Sequence, residues 1–345
     1  MRMANAMRIG VVALLATATH AQADFGDTLK TVKDRGSLSC TGHNGSYPGM
    51  AEVDDKGNWT GLDIDLCKAL ATAIFGTDEG HLTIQPTSWS QRWPSIQSGE
   101  LDIIIKASGW SMGRDTEIAM QFGRPYMMAP IHYITPKETG AAEAADLDGG
   151  TLCIQTGTTL ERYAVEHAKA NGYELEVVPF EKTEEAKAAY ISGRCDAYID
   201  WDLQLAVMRA KELDDPDQHI ILPDVLSAEP VAMAMRQGDD QWVDIANWLL
   251  SALLMAEENG VTSENVDAMK ANPPTPGIGK LLGASEGVGT RLGLSDDWAY
   301  NVIKRHGNYS EIWERNVGSG SPYNLSRGVN GLIRDGGIFH SLVMD

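Results

Sequence analysis

Positive charge is scarce in this chain: 28 lysines and arginines stand against 48 aspartates and glutamates in 345 residues, a formal net charge of −20. So acidic a surface repels a phosphate backbone or an anionic bilayer, which excludes nucleic acid and membrane surfaces as partner classes. It does not exclude one small anion, because a single buried guanidinium outweighs a distant, salt-screened field. Cysteine is sparse, with four residues, and none forms the close C-x2-C pair of a structural zinc site. No metal or cofactor is therefore expected. Long apolar runs are missing too. The richest late stretch, Trp242 to Ala256, carries Asp244, Asn247 and Ser251, so no membrane insertion is expected there. There is no internal repeat and no low-complexity tract.

Export is written into the N-terminus. Arg2 and Arg8 form a positive region, Ile9 to Ala16 a short apolar one, and Ala21-Gln22-Ala23 a small-residue cleavage site. Residues 1–23 read as a signal peptide cleaved near Ala23, which places the mature chain in the periplasm. No cysteine sits at the cleavage point to take a lipid anchor. An oxidising compartment favours disulfides, and four cysteines allow three pairings. Cys40 ends a first strand and Cys67 lies on the first helix, while Cys153 and Cys195 border later strands. The expected pairs are Cys40–Cys67 and Cys153–Cys195.

The mature length exceeds one comfortable core and fits two lobes. Ser37 to Cys40 reads as a strand, Leu62 to Ile74 as a helix of 3.6-residue period, Leu82 to Gln85 as a strand and Ser90 to Gln97 as a helix. Leu101 to Ile105 is continuously apolar, as in a strand covered on both faces. After a small, acidic stretch at 136–150, a second α/β series begins: strand 151–155, helix 159–170, strand 174–178, helix 183–191 and strand Ala197 to Ile199. The chain crosses back near Glu229-Pro230, and Asp240 to Asn259 is an amphipathic helix. The alternation predicts an α/β fold with mainly parallel, doubly wound sheets. The expected division is 24–135 and 230–262 in the first lobe, 136–229 in the second, and a helical extension at 263–345 packed on the first lobe. The hinge crossovers are expected near 133–140 and 226–232.

Two runs carry the chemistry. Gly109-Trp110-Ser111-Met112-Gly113-Arg114 follows the apolar strand and ends in a guanidinium fork suited to a carboxylate. Gln155-Thr156-Gly157-Thr158-Thr159 leads from a strand into a helix start, whose free N–H groups and positive dipole end also attract an anion. Two such grips in separate α/β units suggest two lobes closing on one small carboxylate. Plainer readings compete: Arg114 as a surface arginine, Thr158 and Thr159 as helix caps, Lys106 as a lip or surface charge, His43 as a solvated loop residue. Trp89 and Trp93 read best as core. Asp63 and Asp65 face different ways on a helix and form no metal or acid/base pair.

Gly57-Asn58-Trp59-Thr60-Gly61-Leu62-Asp63-Ile64-Asp65-Leu66-Cys67 resembles the "GxxxGfdvDl" signature of periplasmic amino-acid-binding proteins of ABC importers, solute-binding protein family 3. Gln97 to Asp102, Arg114, Gln155 to Thr159 and Gly193 to Ala197 match as well. Arg236 to Trp242, Leu292 to Tyr300 and Gly307 to Asn316 resemble the general L-amino-acid-binding subgroup. The resemblance implies a two-lobed, type II periplasmic-binding-protein fold and a ligand α-carboxylate held by Arg114, helped by Ser111 and closed over by Thr158 and Thr159. Ser108 and Gly109 would supply oxygens to the amine, and Tyr47 would stack on the ligand. In the family an aspartate of the second lobe completes the ammonium site. Here that position is Trp201, flanked by Asp200 and Asp202, and the hydroxyl residue usual five before the arginine is Gly109. Asp200 and Trp201 are therefore the candidates there, the one as ammonium partner and the other as a stacking wall.

The function implied is capture of an amino acid or related carboxylate and delivery to an ABC permease in the inner membrane, by a monomer without catalytic activity. Two alternatives share the scaffold: a lyase resembling the cyclohexadienyl dehydratases, and a ligand-sensing subunit for a membrane receptor. No nucleophile–base constellation supports the lyase.

Overall fold

The computed structural model describes residues 27–345; the signal segment, with Arg2, Arg8 and the Ala21-Gln22-Ala23 site, lies outside them. In chain order, the first α/β unit comprises α1 (Thr28–Arg35), β1 (Leu38–His43), the short β2 (Glu52–Val53) and β3 (Trp59–Thr60), α2 (Leu62–Phe75), β4 (Leu82–Thr87), α3 (Arg92–Gln97) and α4 (Met112–Thr116). A long strand, β5 (Met120–Pro136), leads to β6 (Thr151–Gln155), α5 (Thr159–Asn171), β7 (Glu176–Phe180), α6 (Thr183–Ile191), β8 (Ala197–Trp201), α7 (Asp202–Lys211) and β9 (His219–Ile221). A second long strand, β10 (Ser227–Arg236), returns to α8 (Asp240–Glu258), and α9 (Val266–Ala271), α10 (Pro276–Leu281), α11 (Trp298–His306) and α12 (Tyr309–Asn316) complete the helices.

The sheets depart from the mainly parallel expectation. β1 and β4 pair in parallel, as β6 does with β7 and β8, but β5 runs antiparallel to β8, β9 and β10 in a sheet ordered β10-β5-β8-β6-β7. Two crossing strands that travel in opposite directions must pair so. The Leu101–Ile105 run is fully buried, yet it pairs with neighbouring strands only through single bridges, Cys40 with Ile103 and Ile104 with Ala234. β5 pairs with β8 from Ile131 to Ile134, so its passage between the two sheets lies upstream of the expected 133–140. The register of β10 on β5 slips on both sides of Ala232, opposite Pro125 and Phe122.

α2 shows how local sequence positions the rest. Gly61 precedes it at φ +119, where an added Cβ would lie 2.3 Å from the Met50 carbonyl oxygen. Gly76 ends it in the left-handed conformation. Its two acids diverge: the Asp63 carboxylate accepts hydrogen bonds from the Tyr126 hydroxyl at 2.6 Å and the Ala107 N–H at 2.9 Å. Asp65 accepts from Arg315 Nε at 2.6 Å and Asn316 Nδ2 at 2.7 Å on α12. The C-terminal helices pack on α2 and α8, burying Trp298, Val302, Ile303, Ile312 and Trp313. Disulfides Cys40–Cys67 and Cys153–Cys195 tie β1 to α2 and β6 to the turn before β8. Among the described residues no helix is long and apolar enough to cross a membrane.

Candidate functional site

Where parallel strands end, successive loops turn away and leave a crevice. The ends of β4, β6 and β8, with the loop after β1 and the start of β10, converge on one cavity. Its wall comprises Tyr47 from the β1 loop, Trp89 and Arg92, then Ala107, Gly109 and Arg114. Opposite stand Gln155, Thr158, Thr159, Leu160, Thr183, Tyr198, Asp200, Trp201 and Glu229. Seven of the nine expected ligand residues are thus brought together. Ser111 and Ser108 are not on this wall: Ser111 caps α4, its hydroxyl accepting from the Arg114 N–H at 3.4 Å, and the buried Ser108 hydroxyl donates to the Lys106 carbonyl at 2.7 Å.

Two guanidiniums face the cavity around Trp93. Arg92 lies 4.3 Å from that ring's centre and Arg114 5.4 Å. Arg114 donates to the Gly109 carbonyl at 2.7 Å, which fixes the fork while leaving other donors free. Arg92 is 1 % exposed, and its Nε–H finds no partner. Burial weakens the hold of both groups on their protons, and their mutual repulsion adds to this at Arg92, but a guanidinium stays charged. Across the cavity α5 begins without a side-chain cap, because the Thr158 hydroxyl turns back to the Gln155 carbonyl at 2.9 Å. The first N–H groups of α5 are therefore open to an anion.

The carboxylates come from strand ends. Asp200 is buried and accepts from the Tyr198 hydroxyl at 2.7 Å, the Trp201 N–H at 2.8 Å and, more loosely, the Tyr47 hydroxyl at 3.5 Å. Burial pushes its carboxyl up to about 6, partly offset by Lys187 and these hydrogen bonds. Glu229, beside Pro230 near the start of β10, is only 3 % exposed. It accepts from the Trp201 indole N–H at 3.0 Å and from the Thr159 hydroxyl. Gly109 makes room for it, since a Cβ there would lie 2.4 Å from a Glu229 carboxylate oxygen. Trp201 thus acts as a hydrogen-bond donor to an acid as well as a wall. Ala107 adopts φ +38, unusual for a residue with a Cβ, where its N–H turns to Asp63.

Sequence reasoning missed Glu229, Arg92, Trp89, Gln155, Thr183 and Tyr198. For Glu229 the signal was at hand: an acid at the crossing point, in a chain with tryptophan at the family's acid position.

Comparison with known proteins points one way. The family model for bacterial extracellular solute-binding proteins, family 3, matches residues 40–262. The general L-amino acid-binding periplasmic protein AapJ of Rhizobium johnstonii is 41% identical over 338 residues, 97% of this chain and 98% of that one. The glutamate/glutamine/aspartate/asparagine-binding protein BztA of Rhodobacter capsulatus is 35% identical over 96% of each chain. Among solved structures, a periplasmic binding protein from Brucella ovis with glutathione bound superimposes with a TM-score of 0.88 at 40% identity, covering 93% of this chain and 100% of that one.

Proposed function

The chain belongs to the bacterial extracellular solute-binding proteins of family 3, and from that premise we propose how its cavity takes an amino acid. The protein is the periplasmic solute-binding component of an amino-acid ABC transporter, a binding protein and not an enzyme, as its relatives are. The elements around β1–β4 and those around β6–β8 form two lobes, joined by the paired β5 and β10, which act as the hinge. The helices from α9 onward ride on the first lobe. The ligand α-carboxylate bridges the lobes, meeting Arg114 on one side and the open N-terminus of α5 at Thr158 and Thr159 on the other. The observation that carries this is that Arg114 and Thr158–Leu160, far apart in sequence, line one cavity.

The α-ammonium meets Glu229. In relatives an aspartate is expected at position 201; here Trp201 instead holds the carboxylate of Glu229 toward the cavity, and Asp200 adds a second negative charge behind it. Tyr47 and Trp89 close the apolar walls. The mature protein works as a monomer, and the closed form is what the permease subunits receive.

A thermal-shift panel of the twenty L-amino acids tests this. Ligand at about 100 times its Kd adds roughly 2.7 kcal/mol of stability. One or more amino acids should raise Tm in the wild type and leave Arg114→Ala unmoved. A panel in which none stabilises the wild type overturns the reading.

A further inference from the structure

Beyond the cavity lies a second one, and Tyr47, Trp89, Gln155 and Thr183 line both as a neck between them. The Thr183 hydroxyl donates to Gln155 Oε1 at 2.6 Å, which holds one side of that neck in place. Lys106 is on the wall of the second cavity. It is 1 % exposed, so it is neither a lip charge nor a surface charge. Its ammonium sits 4.6 Å from the centre of the Trp89 ring, and its one hydrogen bond is a long 3.4 Å contact with the Gly42 carbonyl. Among the described residues no carboxylate comes within ion-pair distance of it. Asp63, already engaged by Tyr126 and Ala107, and the exposed Glu184 act on it only from farther away.

A buried ammonium without a counter-ion is costly, and structures rarely keep one unless something supplies the missing charge. The first cavity balances itself, Arg92 and Arg114 against Glu229 and Asp200. In the second, Lys106 is the buried charge, while the other charged residues on its wall, Glu181, Lys182 and Glu184, are exposed. Arg92 and Lys106 also lie against the same indole, at 5.0 Å and 4.6 Å from its centre, so the sum of those distances bounds their separation. A ligand lying along Trp89 and passing the neck presents its far end to Lys106.

Building on the amino-acid reading above, we propose that the second cavity is a subsite for a second carboxylate, at the far end of an amino-acid side chain or of a short peptide, with Lys106 as its counter-ion. The ligand class is then an amino acid or small peptide with a net negative charge.

Two matched pairs of probes test this by isothermal titration: L-glutamate with L-glutamine, and glutathione with its glycine amide. Each pair differs by one far-end charge, and the two pairs separate the short ligand from the long one. The wild type should bind the charged member of at least one pair about tenfold or more tighter. Lys106→Met and Lys106→Gln should abolish that preference while leaving the neutral member within about threefold, and Lys106→Arg should keep it. Equal binding of both members by the wild type, equal loss of both in the uncharged variants, or binding confined to other, neutral amino acids overturns the subsite. Absence of any amino-acid ligand would instead overturn the proposed function.

Discussion

Gly109 and Glu229 are coupled through space that only glycine leaves open. A methyl at 109 meets the Glu229 carboxylate at 2.4 Å, so Gly109→Ala should destabilise the protein by about 1–3 kcal/mol through overpacking and weaken ligand binding. In a Glu229→Ala background the same substitution should cost far less stability, and a double-mutant cycle by chemical denaturation measures the difference. Asp63 offers a second test. Burial holds its carboxyl up at about 7, against an ordinary 3.8, despite the Tyr126 and Ala107 hydrogen bonds and Lys106. The folded state therefore binds more protons than the unfolded state across that window, and the contribution of Asp63 to stability falls as pH rises from about 4 to about 7. Asp200, raised to about 6, acts in the same direction over a narrower range. Asp63→Asn should flatten this slope in Tm measured against pH.

Helix ends were legible in the sequence because their determinants are local. Gly61 and Gly76 bracket α2 in the structure, and the expected 183–191 helix is α6 residue for residue. Strand partners were less legible, because a buried strand reads as apolar whichever neighbour it meets. Leu101–Ile105 was recognisable as buried, but its reduction to two bridges depends on β1 and β10, distant in sequence. The site was legible where a motif carries it, at Arg114 and Thr158–Thr159, and illegible where it is assembled from single residues. Arg92 looks like any polar position on a short helix until Trp89 and Trp93 are seen flanking its guanidinium. The two disulfides close spans of 27 and 42 residues, and chain-entropy arithmetic gives about 3.5 to 4 kcal/mol for each. Replacing either pair by serines should lower the denaturant midpoint accordingly and raise the slope, because the released denatured chain is less compact.

In the whole molecule, two α/β units share one cavity and are joined by the antiparallel strands β5 and β10. In the proposed function, closure turns about the stretch around Pro125 and Ala232, where the register of β10 on β5 slips. Ligand should shrink the radius of gyration in solution scattering, and a mixture of open and closed forms should resolve into the closed one. The C-terminal helices seal apolar faces of α2 and α8. A chain ending at residue 262 should therefore expose apolar faces of α2 and α8 and aggregate at concentrations where the whole chain stays monodisperse. In the proposed complex, one amino acid is held by charge at both ends, Arg114 at its carboxylate and Glu229 at its ammonium. The measurement that tests it most directly is calorimetric titration of the wild type and Glu229→Gln with the tightest-binding L-amino acid and with its des-amino analogue. The wild type should prefer the amino acid strongly, and Glu229→Gln should lose roughly 100-fold for it while binding the des-amino acid as before. Unchanged binding of the amino acid by Glu229→Gln, or equal loss for both compounds, would contradict it.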